Sequence, residues 1–304
     1  MRETKPGGHR RVRCGSGIGL WTLLLAMGIP GGLVAQRPTP PFFQSLTWSA
    51  DGKSVIAAGV LSSWEKGYAL YAIPVDGGPP RTLETGEGEA PLFPAVAADG
   101  KRVAYGNKTA EGHGIWILNV ESGALKRVVL TDHAGGPSWS PSGAQLAYHA
   151  TVDSLRQIMV VSLDGGSPRQ ISPSQGNNWN PQWSPDGTWI AYYSDRRGAG
   201  AHDTIYVVRP DGSDEGKVTG GVFPTWTTDG RLLFSDRGGD GAALFIVNRD
   251  GSNRRRLIPN AFFGAMSPDG EWVAAITFEG PRTGRHYRIE LLRPDGSGRR
   301  VLFQ

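Results

Sequence analysis

Six times along this chain an apolar strand runs into a tight glycine turn, most plainly as Trp183-Ser184-Pro185-Asp186-Gly187. The turn glycines are Gly52, Gly100, Gly143, Gly187, Gly230 and Gly270, so the spacing stays between 40 and 48 residues. A repeat of about 43 residues is the length of one four-stranded blade of a β-propeller. Where present, as at Pro141, Pro185 and Pro268, Pro presets φ for the turn; Asp, in five of the six units, suits the bridge region; and Gly takes the left-handed position that closes the hairpin. A second strand follows, such as Ile190-Ala191-Tyr192-Tyr193, then a variable loop and a third strand, such as Ile205-Tyr206-Val207-Val208. Another glycine turn, Asp211-Gly212 in this unit, leads to a short fourth strand. Most strands are unbroken apolar runs, which implies burial on both faces, as stacked blades require. The expected fold is therefore all-β, with six blades of four antiparallel strands over residues 36–304.

The first 35 residues read differently. Arg10, Arg11 and Arg13 precede an apolar stretch from Ile18 to Ile29, and Leu33-Val34-Ala35 offers a small-residue cleavage site. That order is a secretory signal peptide, with cleavage expected after Ala35 and a periplasmic or secreted product. A membrane is met only if this leader stays uncleaved, and its apolar run is short for a span. The whole chain carries 32 Lys and Arg against 28 Asp and Glu, and residues 1–35 hold five of the former and one of the latter. The remainder is thus 27 against 27, without the basic surplus that nucleic-acid binding needs. The single cysteine, Cys14, also lies in the leader, so the exported fold depends on its core alone.

The repeat W-S-P-D-G, with an apolar strand after it and a later strand ending in D-G, resembles the WD40-like repeats of TolB-type propellers. It is also similar to the propeller domains of dipeptidyl peptidases and prolyl oligopeptidases. The resemblance covers roughly residues 40–304 and implies a six-bladed ring. It implies no catalytic domain, and the sequence holds no G-x-S-x-G elbow, no H-E-x-x-H and no G-x-x-x-x-G-K-[ST]; the one G-x-G run that resembles a phosphate loop, Gly15-Ser16-Gly17, lies in the leader.

Antiparallel order divides the ring into two ends. With strands numbered outward from the axis, all the Asp-Gly turns fall at one end. The variable loops and the blade-to-blade connections fall at the other, where a rigid scaffold presents binding residues. Two clusters there are candidate contacts. The hairpin at Pro141-Ser142-Gly143 sets Gly135 opposite His149, which draws Asp132, His133 and His149 together. Asn177, Asn178 and Trp179 lead into the fourth blade near the axis, where an indole and amides suit peptide or carbohydrate recognition. Phe262 and Phe263 hold the equivalent position before the sixth blade, and packing between connection and blade is the competing role for all these aromatics. Ser194-Asp195-Arg196 recurs as Ser235-Asp236-Arg237, and the repetition points to loop structure.

The histidines are scattered over four blades, whereas a metal needs three or more ligands at about 2 Å. No metal, cofactor or catalytic residue is expected. The function that follows is a non-catalytic exported propeller that binds a protein, peptide or glycan partner in the cell envelope, with no nucleic-acid role. The alternative is a hydrolase or lyase acting on polysaccharide or peptide, its site built from Asp132, His133 and His149.

Overall fold

Packing between neighbouring sheets builds this fold, and each hydrophobic cluster draws on two consecutive blades. Ile56, Ala58 and Leu70 of blade 1 pack with Val103, Tyr105 and Leu118 of blade 2, all buried. Ala147, Ile158 and Ile171 of blade 3 pack likewise on Ile190, Tyr192 and Val208 of blade 4. The computed structural model describes residues 40–86, 88–196, 203–238, 241–280 and 285–304. The expected leader lies outside the described residues, as does His202.

Six sheets of four strands follow one another, and every sheet takes four consecutive strands of the chain. The inner strands are Phe42–Trp48, Leu92–Val96, Gly135–Trp139, Asn178–Trp183, Val222–Trp226 and Ala261–Met266. They pack side by side, and the first meets the last, which closes the ring. The expected architecture is the observed one. Among the described residues the helical structure is a single 3₁₀ turn, Trp64–Lys66, and no helix is long and apolar enough to cross a membrane.

The repeated turn residues are structural. In blade 4 the Ser184 hydroxyl donates to Asp186 Oδ1 at 2.6 Å, and that oxygen accepts the Thr188 amide at 3.0 Å. The Ser184 hydroxyl oxygen also accepts the Trp189 amide at 2.9 Å. These bonds hold the Asp186 carboxyl below the usual carboxylate range. Gly187 has φ 73° and donates to the Ser184 carbonyl at 2.9 Å, a left-handed turn that a side chain would strain. The tryptophans fasten blade to blade. Trp139 Nε1 donates to the Ala95 carbonyl of blade 2 at 3.0 Å, and Trp226 Nε1 to the Gln182 carbonyl of blade 4 at 2.9 Å.

Among the described residues no strand is shared between the first and last blades, and side chains join them. Trp48 Nε1 donates to the Ala265 carbonyl at 2.9 Å, and Arg300 Nη2 to the Val75 carbonyl at 3.1 Å. Phe42 meets Tyr287 edge-on with centroids 5.0 Å apart, and Phe43 meets Phe303 at 5.8 Å.

Candidate functional site

Near its start every inner strand slips register against its neighbour. The residues at these bulges are Gln44, Phe93, Gly136, Asn180, Phe223 and Phe263. The last five have positive φ: 53° at Phe93, 56° at Gly136, 48° at Asn180, 54° at Phe223 and 55° at Phe263. A bulge turns a side chain away from the pleat. Here it aims the side chains at the ring axis. The rings of Phe93 and Phe223 lie 6.4 Å apart, Phe93 and Phe263 6.2 Å, and Phe223 and Phe263 5.5 Å. They come from blades 2, 5 and 6, and blades 2 and 5 are opposite each other, so the cluster crosses the axis and plugs it.

Blades 1, 3 and 4 supply the other half of this ring, and it is polar. Gln44 Oε1 and Asn180 Nδ2 are buried and have no protein partner. Beside Asn180 is His149, whose Nδ1 accepts the Asn180 amide at 3.4 Å. Burial, reinforced by Arg156 and the nearby imidazoles, pushes its pKa down to about 3. The ring is therefore neutral at physiological pH, and its Nδ1 acts as a fixed acceptor.

Gly135 pairs with His149, the register expected from the hairpin. The second strand of blade 3 runs past His149 to Val152, so this histidine sits inside the strand and not at its end. His133 is exposed and turns to His113, with ring centroids 4.9 Å apart and planes 16° from parallel. Asp132 is exposed, and its carbonyl accepts the Thr151 amide at 2.9 Å. Among the described residues, no group of three or more His, Cys, Asp or Glu is arranged to hold a metal ion.

The three residues entering blade 4 divide their tasks. Asn177 is half-buried: its Oδ1 accepts the Arg156 amide at 3.0 Å and its Nδ2 donates to Asp195 Oδ2 at 2.9 Å. Asn178 is fully buried, and its Nδ2 donates to Gln157 Oε1 at 2.9 Å, joining blade 4 to blade 3. Trp179 stays partly exposed, stacked on Tyr193 with centroids 5.3 Å apart. Phe262 packs at the seam against Phe278 and Tyr287, whereas Phe263 belongs to the axial plug. Asn178→Ala is expected to cost about 1–3 kcal/mol in urea unfolding, because Gln157 Oε1 would lose a buried donor.

A polar cleft of about 580 Å³ opens on the flank between blades 3 and 4, beside Asn177, Asp195, Arg196 and Glu215. Asp195 Oδ1 accepts the Asn177 amide at 2.7 Å, and Arg196 pairs with Glu215 at 2.8 Å. Both residues of the recurring Asp-Arg pair thus serve the loop in this blade.

Sequence reasoning missed Gln44, Phe93, Asn180 and Phe223 as one ring of axial side chains. A usable signal exists: Phe93, Gly136, Asn180 and Phe223 each precede the proline of their inner strand.

The sequence profile of the TolB β-propeller domain matches residues 54–222. An uncharacterized protein from Agrobacterium fabrum is 30% identical over 266 residues, covering 79% of this chain and 86% of that protein. The crystal structure of TolB from Acinetobacter baumannii superposes with a TM-score of 0.68 at 20% identity over 84% of this chain, which spans 61% of that one. An oligogalacturonate lyase from Vibrio parahaemolyticus superposes with a TM-score of 0.58 at 12% identity, covering 88% of this chain and 78% of the lyase. At such identities the structural likenesses speak for fold alone. The profile match and the Agrobacterium relative carry the assignment: this chain belongs to the TolB β-propeller family.

Proposed function

We propose that this is an exported propeller that recognises a protein, peptide or glycan of the cell envelope at its variable-loop end and performs no chemistry of its own. Residues 1–35 would direct export, with cleavage after Ala35. The observation that carries this reading is a set of accessible polar and aromatic side chains at the loop end, above the buried plug of Phe93, Phe223 and Phe263. They are the exposed Asp132 and His133 and the partly exposed Asn177 and Trp179. Apolar surface beside a few oriented polar groups is the common composition of recognition sites.

A hydrolase or lyase would need Asp132, His133 and His149 to converge on a substrate. His149 is enclosed by backbone and His133 is spent on His113, so their arrangement favours recognition over chemistry.

The test passes envelope extract and a glycan array over the immobilised exported protein. One retained partner or glycan class is expected, with affinity reduced at least tenfold by Trp179→Ala while circular dichroism is unchanged. Repeated trials that retain nothing, or retention indifferent to Trp179, would overturn the proposal.

A further inference from the structure

Three imidazoles meet where blade 2 hands over to blade 3. His113 lies in the third strand of blade 2 (Gly112–Asn119), His133 in the connection after that blade, and His149 in the second strand of blade 3 (Gln145–Val152). His113 and His133 are stacked almost in parallel. His133 holds φ 55°, a left-handed backbone that a side chain adopts at some cost.

Three backbone bonds seat this connection: Thr131 N–H to the His113 carbonyl at 3.1 Å, Ala134 N–H to the Thr131 carbonyl at 3.4 Å, and Thr151 N–H to the Asp132 carbonyl at 2.9 Å. Thr151 Oγ1 also lies 3.4 Å from His133 Nδ1. Gly135 and Gly136 then roof His149 closely. A Cβ added at Gly135 would come within 2.9 Å of its Nε2, and one at Gly136 within 3.0 Å of its Nδ1. This segment therefore packs directly on the His149 ring, which burial keeps uncharged.

The charges facing these rings do not replace a lost neutrality. Lys108 of blade 2 and Arg156 of blade 3 oppose protonation, while Asp132 and Glu89 favour it. Glu89 is already paired with Lys108 at 2.8 Å. Among the described carboxylates acting on His113, that leaves Asp132 to offset charge on two stacked rings. Burial, then the neighbouring His133, already hold the His113 pKa below its ordinary value. Two like charges at this separation repel.

We propose that the Thr131–Gly136 connection, at the loop end between blades 2 and 3, is an acid-released latch, clasped while the His113–His133 stack is uncharged and freed when both rings carry protons. As regulation of recognition it rests on the function proposed above; as a property of the loop it does not. Its consequence is partner release in acid.

Amide hydrogen exchange on the full exported protein, without partner, tests the latch at pH 7.5 and pH 5.0 after correction for intrinsic exchange chemistry. The Thr131, Ala134 and Thr151 amides are expected to lose at least tenfold protection at pH 5.0. The Phe278 amide, bound to Asn260 in the equivalent place before blade 6, serves as reference and keeps its protection. His133→Asn tolerates the left-handed backbone and carries no proton, so its loop should exchange alike at both pH values. Equal protection in the unsubstituted protein at both pH values overturns the latch, and so does an acid loss that His133→Asn shares. Failure to find any envelope partner would end the recognition reading and leave these exchange rates unaffected.

Discussion

Unfolding free energy is expected to fall by roughly 5 kcal/mol on acidification from pH 6.5 to about 3 through the titration of His149 alone. Its pKa is about 3 in the fold against an ordinary value of 6.5. Above pH 6.5 neither the folded nor the unfolded chain holds a proton there, so the residue adds no slope. Between pH 6.5 and about 3 the unfolded chain takes up a proton that the folded chain refuses, and stability declines steadily across that window. The turn carboxylates act later. Hydrogen bonds from Ser49, Ser184 and Ser267 lead the causes that hold Asp51, Asp186 and Asp269 below the usual range. Their contribution is therefore present above 3.8 and disappears as pH falls through their lowered values. Urea unfolding at pH 7.0, 6.0, 5.0 and 4.5 separates the histidines from the carboxylates, with His113, also held below its ordinary value, adding a part of the slope that His149→Gln leaves in place. His149→Gln should flatten the profile in that range whatever its stability at pH 7.0. A flat profile for the unsubstituted protein, or an equal slope in the variant, would refute the assignment.

Phe223→Ala is expected to destabilise the propeller by about 3–5 kcal/mol, the range for truncating a buried aromatic side chain. Phe223 is 5% exposed and touches Phe93, Phe263 and Tyr193. Few surrounding atoms can collapse into the space it would leave, because the inner strands are fixed by their own sheets. Phe223→Gly adds a useful contrast. It opens the same cavity but removes the left-handed strain of about 1 kcal/mol, so it should do no worse than alanine. The pair Phe93→Ala and Phe223→Ala should combine non-additively, since the two rings share one cavity. Chemical denaturation measures all of these. A loss under about 1 kcal/mol for Phe223→Ala would mean that the ring makes no plug.

Turn and blade were readable because hairpin chemistry is local. Trp183 to Gly187 specifies its own geometry within five residues, and six copies set the blade number. The division into two ends followed from antiparallel order. The axial plug was not readable, for a reason that Phe93 and Phe223 make plain. Each stands before a proline, where steric contact with the pyrrolidine ring ordinarily favours an extended backbone. Here the crowding of six inner strands imposes bulges, and contact between three aromatic rings from different blades offsets the local cost. Phe263 stood out in the sequence as an aromatic near the axis, yet its partners lie in blades that sequence order separates widely. His149 illustrates the same limit. Its pairing with Gly135 was legible from the hairpin, but its enclosure depends on Gly136 and Asn180, one of which belongs to another blade.

The absence of a strand shared between Phe42–Trp48 of the first sheet and Ala261–Met266 of the last bears on how such rings change over evolutionary time. In this chain a segment of about 43 residues carries a complete hydrogen-bonded ladder and borrows none from elsewhere. Duplicating or deleting one such segment leaves no ladder half-made. The demands fall on the wedge angle between neighbours and on the indole and guanidinium groups that fasten them, so heredity can count in whole modules.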